Sequence, residues 1–86
     1  MNLAFTPNGW NDYCYWQRAD RSMLKRVNRL ITEALREPTS GIGKPEPLKY
    51  QLGNVWSRRI TEEHRLVYLV GGDLLTVLQA RFHYDD

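Results

Sequence analysis

The hydrophobic period of this chain changes once, near Pro38, and that change decides the fold class. Before it, Met23, Val27, Leu30 and Ala34, flanked by Leu24, Ile31 and Leu35, recur at the spacing of a helix with one buried stripe. The helix should stop near Glu37, because Pro38 disfavours helix in the residue before it. Residues 38–47, PTSGIGKPEP, read as a loop. Beyond them apolar residues alternate with polar ones. LKYQL, VWSRRI, HRLVYLV and LLTVLQARFHY read as four strands, joined by short turns at Gly53-Asn54, TEE and GGD.

The N-terminal part supplies the remaining elements. NLAF (residues 2–5) reads as a short strand. Thr6 is placed as an N-cap with Pro7 in the first helical position. Trp10, Tyr13, Cys14 and Gln17 follow at helical spacing, and Trp10 and Tyr13 are expected in the core. Asp20 is placed as the N-cap of the second helix. Strand, two helices and an antiparallel meander make an α+β fold with both helices packed on one sheet face. A chain of 86 residues suits one small domain, spanning residues 1–86, and an apolar share of 42% supports a packed core.

Cys14 is the lone cysteine, which favours a reducing, cytoplasmic compartment over secretion. The start MNLAFTPNGW lacks the basic and apolar regions of a signal peptide. The longest strictly apolar run, LVYLV, is far too short for a membrane span, so no membrane partner is expected. His64 and His83 have no ligand spacing with Cys14 or with paired carboxylates, so no metal site is expected.

Alternation sorts the last two strands into faces. If GGD is a three-residue loop, Val70 pairs with Leu74 and Arg65 lies opposite Gln79. Leu66, Tyr68 and Val70 then share a face with Leu74, Thr76, Leu78, Ala80, Phe82 and Tyr84, and this nearly all-apolar face should lie under the helices. The other face holds Arg65, Gln79, Arg81 and His83 at one end. A two-residue Gly71-Gly72 loop would turn Arg65 onto the apolar face and is rejected. A three-residue TEE loop puts Arg59 across from Arg65.

Two opposed arginines repel. Either Glu62, Glu63 or another carboxylate bridges them, or they form an anion site for a phosphate. Net charge is +2, and nine of the twelve cations are Arg, the side chain suited to bidentate phosphate contact. Arg21, Lys25 and Arg29 line up as a cationic ridge on the polar face of the second helix, a candidate surface for nucleic acid. Glu46 stands between Pro45 and Pro47, a stiffened backbone that suits a group held in place. A carboxylate base, a cationic cradle and an imidazole acid at His83 are the parts that RNA cleavage by attack of the 2′-OH requires.

The blocks GKPEPLKYQLGNVWSRRITEEHRLVY and RFHY, with WNDYCYWQ near the start, resemble the YoeB/Txe family of bacterial addiction-module toxins within the RelE/ParE superfamily. The resemblance covers essentially the whole chain. It implies a RelE-like, microbial-ribonuclease-like fold and ribosome-dependent cleavage of mRNA without a metal cofactor. It implies Glu46 as general base, Arg65 as phosphate-stabilising arginine, His83 as general acid and Tyr84 as a substrate-positioning tyrosine. Lys49 and Arg59 match supporting cations, to which the strand reading adds Arg81. The implied partners are the ribosome with its mRNA, an antitoxin of the YefM/Axe kind whose disordered segment folds over the toxin, and a second copy in a homodimer. Phe82 stands where the family pattern has tyrosine. Cys14 replaces a larger aliphatic as a small core residue, and Asp85 and Asp86 extend past Tyr84, beside His83. Related toxins of the same superfold poison DNA gyrase by binding alone. That reading, a plain RNA- or ribosome-binding module and an inert structural domain are the alternatives.

Overall fold

The computed structural model describes residues 1–49 and 53–82. The chain runs β1 (Asn2–Phe5), α1 (Pro7–Ala19), α2 (Arg21–Arg36), β2 (Glu46–Pro47), β3 (Val55–Arg59), β4 (Arg65–Gly71) and β5 (Leu74–Gln79). The strands form one sheet in the order β1-β5-β4-β3-β2. The last four strands are antiparallel neighbours, and β1 lies parallel to β5 at the edge. Both helices pack on one face. Among the described residues, no helix is long and apolar enough to cross a membrane.

Both helix starts are set by local chemistry. The Thr6 hydroxyl accepts the Gly9 amide hydrogen at 3.1 Å, and Pro7 occupies the first turn, where its missing N–H costs nothing. Asp20 accepts from the Ser22 and Met23 amides at 2.9 and 3.2 Å. Glu37 ends α2, as Pro38 requires. Val27, Leu30 and Ala34 are fully buried against Leu66, Tyr68, Leu75, Val77 and Ala80. Each such leucine or valine contributes about 1.5–3 kcal/mol by leaving water.

Several elements differ from the sequence expectation. Trp10 is 49% exposed; the buried indole is Trp16, whose Nε1–H donates to the Ala80 carbonyl at 2.7 Å. Tyr13 and Cys14 are half-buried. The strand expected over 48–52 is instead the two-residue β2, inside the segment read as loop, while Leu48 and Lys49 lie outside any strand and residues 50–52 lie outside the described residues. The final strand ends at Gln79 rather than running to Tyr84.

The β4–β5 register also differs. The turn has two residues, Gly72 and Asp73, so Gly71 pairs with Leu74 and Val70 with Leu75, not with Leu74. Leu75 and Val77, rather than Leu74, Thr76 and Leu78, therefore lie under the helices with Leu66, Tyr68 and Val70. A β-bulge then resets the faces: Tyr68 pairs with Val77 but Val67 with Gln79, which leaves Leu78 extra. The bulge is held by the start of α1. Thr6 N–H donates to the Val77 carbonyl at 3.0 Å, and Asn8 donates to the Leu78 carbonyl at 3.1 Å. Gly9 is required here, since a Cβ at that position would overlap the Val77 carbonyl oxygen.

Candidate active site

The face that the helices leave uncovered carries the candidate groups. Glu46 pairs with Ser57, Ser57 with Val67 and Val67 with Gln79, so these four form one row across the sheet. The neighbouring row is Arg59 opposite Arg65, as the three-residue TEE loop predicts. Glu46 and Arg65 are thus separated by about 10 Å across the strands and about 7 Å along them. Side chains of their length can reach a ligand lying between them. The Glu46 carboxylate is exposed, while Arg59 and Arg65 are half-buried.

Opposed arginines at this spacing destabilise the sheet unless something offsets their charge. Glu62 reaches Arg59 at 3.7 Å, but its side chain is 92% exposed and the pair is weak. Among the described residues no carboxylate pairs with Arg65. The Arg59 Nε–H is buried without a hydrogen-bond partner. A cationic pair with an unsatisfied donor favours an incoming anion. Among the described residues no group of three His, Cys, Asp or Glu side chains is placed to hold a metal ion.

The other candidate residues are placed as follows. Lys49 is exposed just past β2. Arg81 follows the end of β5, so strand alternation does not govern it. Its guanidinium lies 3.5 Å from the centre of the Tyr15 ring on α1 rather than joining Arg59 and Arg65 on the uncovered face. Arg21, Lys25 and Arg29 are all exposed on α2, not on the sheet. His83 and Tyr84 lie outside the described residues; the backbone that leads into them is tied to Arg65, whose N–H donates to the Phe82 carbonyl at 3.1 Å.

Sequence reasoning missed Arg58. It is fully buried on the helix side of β3 and orders the segment that leads to Glu46. Its Nε donates to the Tyr68 hydroxyl at 3.0 Å, Nη1 to the Ile42 carbonyl at 2.9 Å, and Nη2 to the Glu37 and Ser40 carbonyls at 2.6 and 2.8 Å. The Tyr68 hydroxyl in turn donates to the Pro38 carbonyl at 2.5 Å. Burial raises the Tyr68 pKa above its ordinary value, and the hydrogen bond and charge of Arg58 oppose that rise. The signal lay in parity: two successive arginines in a strand must face opposite ways, so one of the Arg58-Arg59 pair enters the core.

The same architecture occurs in a solved YoeB/ParE toxin from Agrobacterium tumefaciens, with a TM-score of 0.92 and 52% identity over 98% of this chain and 100% of that one. A solved YoeB dimer from Staphylococcus aureus superposes with a TM-score of 0.90 at 41% identity, each chain covered to 98%. The fold is that of the RelE-like toxins. Toxin YoeB of Streptomyces coelicolor is 52% identical over 84 residues, which is 98% of this chain and 100% of that protein. Residues 5–84 match the family described as YoeB-like toxin of bacterial type II toxin-antitoxin systems, and the chain belongs to that family.

Proposed function

We propose that this type II toxin is an endoribonuclease that cleaves mRNA on the ribosome and so stops translation. The observation that carries the reading is the row of Glu46 beside the Arg59–Arg65 pair on the uncovered sheet face. Glu46 takes the proton of a ribose 2′-OH, whose oxygen attacks the adjacent phosphorus in line. Arg65, assisted by Arg59, stabilises the charge that develops on the phosphoryl oxygens. His83 protonates the departing 5′ oxygen; an unperturbed imidazole, with a pKa of about 6.5, donates readily near neutrality. The products are a 2′,3′-cyclic phosphate and a 5′-hydroxyl. Each proton has a source and a destination in the chain's own side chains. Tyr84 positions the substrate and Lys49 adds positive charge.

The same reading includes a cytoplasmic location and an antitoxin partner. The S. aureus relative is solved in a YoeB–YefM complex, at 40% identity to this chain, and also as a dimer. Exposed Leu69 and Leu74 leave apolar area for such a partner on the uncovered face.

Programmed ribosomes carrying a defined mRNA test the proposal. The parent protein is expected to cut the mRNA. Ribosome association without cleavage would support a binding module, and inhibition of gyrase without RNA cleavage would support the gyrase-poisoning class. In the same assay, Arg21→Glu, Lys25→Glu and Arg29→Glu combined should weaken ribosome association and flatten its salt dependence, since fewer counterions are released. Single-turnover cleavage at saturating ribosome should stay within about twofold, because the ridge supplies long-range attraction to RNA rather than chemistry. A normal affinity with a lost saturated rate would move the ridge into the catalytic machinery.

A further inference from the structure

Beyond Gln79 the ladder of β5 ends, and residues 80–82 are held by side chains instead. Asp12 accepts the Ala80 amide hydrogen at 3.0 Å, and the Trp16 indole donates to the Ala80 carbonyl at 2.7 Å. The Gln79 side-chain Nε2 donates to the carbonyls of Arg81 and Phe82 at 2.7 and 3.2 Å. His64 Nδ1 accepts the Phe82 amide hydrogen at 2.8 Å, and the Arg65 amide donates to the Phe82 carbonyl at 3.1 Å. Two consecutive residues thus clasp Phe82 from both sides of its backbone.

The clasp has work to do. Phe82 has φ +65°, a left-handed conformation that costs a non-glycine residue of order 1 kcal/mol and persists only where neighbours impose it. The residue is 58% exposed, its ring meeting the His64 ring and the Arg81 guanidinium, so apolar burial does little to hold it in place. The His64 ring is locked in turn. It stands edge-on to Trp16 with centroids 5.0 Å apart, while the backbone of the same residue is held by its N–H, which donates to the Thr61 hydroxyl at 3.2 Å. Accepting at Nδ1 requires the neutral imidazole that carries its proton on Nε2.

We propose that His64 is a positioning residue: by accepting the Phe82 amide hydrogen it fixes the backbone that leads directly into His83. The inference rests on the reading of His83 as general acid. A displaced acid costs rate rather than affinity, because binding is spread over many contacts whereas proton transfer tolerates little error in geometry.

Two polar substitutions separate the acceptor from mere bulk. In His64→Asn, the side-chain carbonyl oxygen falls near the former Nδ1 and still accepts; in His64→Gln, it lies one carbon further out. On saturating programmed ribosomes, His64→Gln should cut about 10- to 100-fold more slowly than the parent, with half-saturation nearly unchanged, whereas His64→Asn should stay within about threefold. Hydrogen exchange at the Phe82 amide reads the clasp without activity. It should be protected in the parent and in His64→Asn, and exchange about tenfold faster or more in His64→Gln. Equal rates and equal Phe82 protection in the two variants would overturn the inference while the cleavage reading stands. A parent protein that leaves the mRNA whole would overturn the cleavage reading, and the inference with it.

Discussion

Arg65→Lys is expected to lower single-turnover cleavage on saturating ribosomes about 10²- to 10³-fold, the cost of removing one well-placed donor from a developing oxyanion. Ribosome affinity should stay within about threefold, because the charge, which governs long-range attraction to RNA, is retained. The loss arises from geometry. A guanidinium presents two parallel N–H groups to two phosphoryl oxygens, and an ammonium presents one point of charge. Arg65 suits that task because no carboxylate among the described residues engages it and its backbone is fixed on both sides, by the Arg59 pairing and by Phe82. A lysine variant that cuts like the parent would remove Arg65 from the chemistry.

Arg58→Leu should cost about 4 kcal/mol of stability, a large part of the 5–15 kcal/mol that a domain of this size holds. Arg58 is fully buried, and its partners are three carbonyls and one phenol rather than a carboxylate. The Glu37 carbonyl among them lies at the end of α2, where the helix dipole favours a cation. Leucine fills part of the space but leaves these part-buried oxygens without their donor and a gap where the guanidinium lay, at up to about 1–3 kcal/mol for each lost partner before relaxation and hydration. A fall in melting temperature of at least about 15 °C follows for a chain of this length. Arg59→Leu, one residue along and half-buried, should cost less than about 1 kcal/mol, since it loses only a weak ion pair. Equal losses in the two variants would show that Arg58 is no keystone of the segment ahead of Glu46.

What could be read from the sequence was local. Thr6, Pro7, Asp20 and Pro38 act within a turn of their own position, and the structure places the start of α1 and both ends of α2 where they point. The α2 stripe was legible because its polar and apolar faces are cleanly divided. Helix α1 was not, since Trp10, Tyr13, Tyr15 and Trp16 put aromatic rings on most of its circumference. Which indole is buried depends on where the helix meets β5, and Gly9 and the Val77 carbonyl decide that.

The β4–β5 register shows the same limit. The alternation that favoured a three-residue GGD turn and rejected a two-residue one assumed an unbroken ladder. The bulge at Leu78 invalidates that assumption, and its cause lies about seventy residues away, in Thr6 and Asn8. The bulge also turns Gln79 back to the face of Val67. Arg59 opposite Arg65 was therefore legible from one short turn, whereas Arg81 was not. Past Gln79 no ladder governs side-chain direction, and its guanidinium stacks on Tyr15. The roles proposed for Glu46, Arg65 and His83 come from the chemistry of their types and from family resemblance.

The proposed nucleophile is the 2′-OH of the substrate. An mRNA with a single 2′-deoxy nucleotide immediately 5′ to the cleaved phosphate, set on programmed ribosomes, tests it most directly. The parent protein should cut the all-ribose mRNA to a 2′,3′-cyclic phosphate and a 5′-hydroxyl, and should leave the deoxy-substituted bond intact while binding the same ribosomes equally well. Cleavage of the deoxy-substituted bond at the parent rate would contradict the account, because the attacking oxygen would then have to come from somewhere other than the substrate ribose.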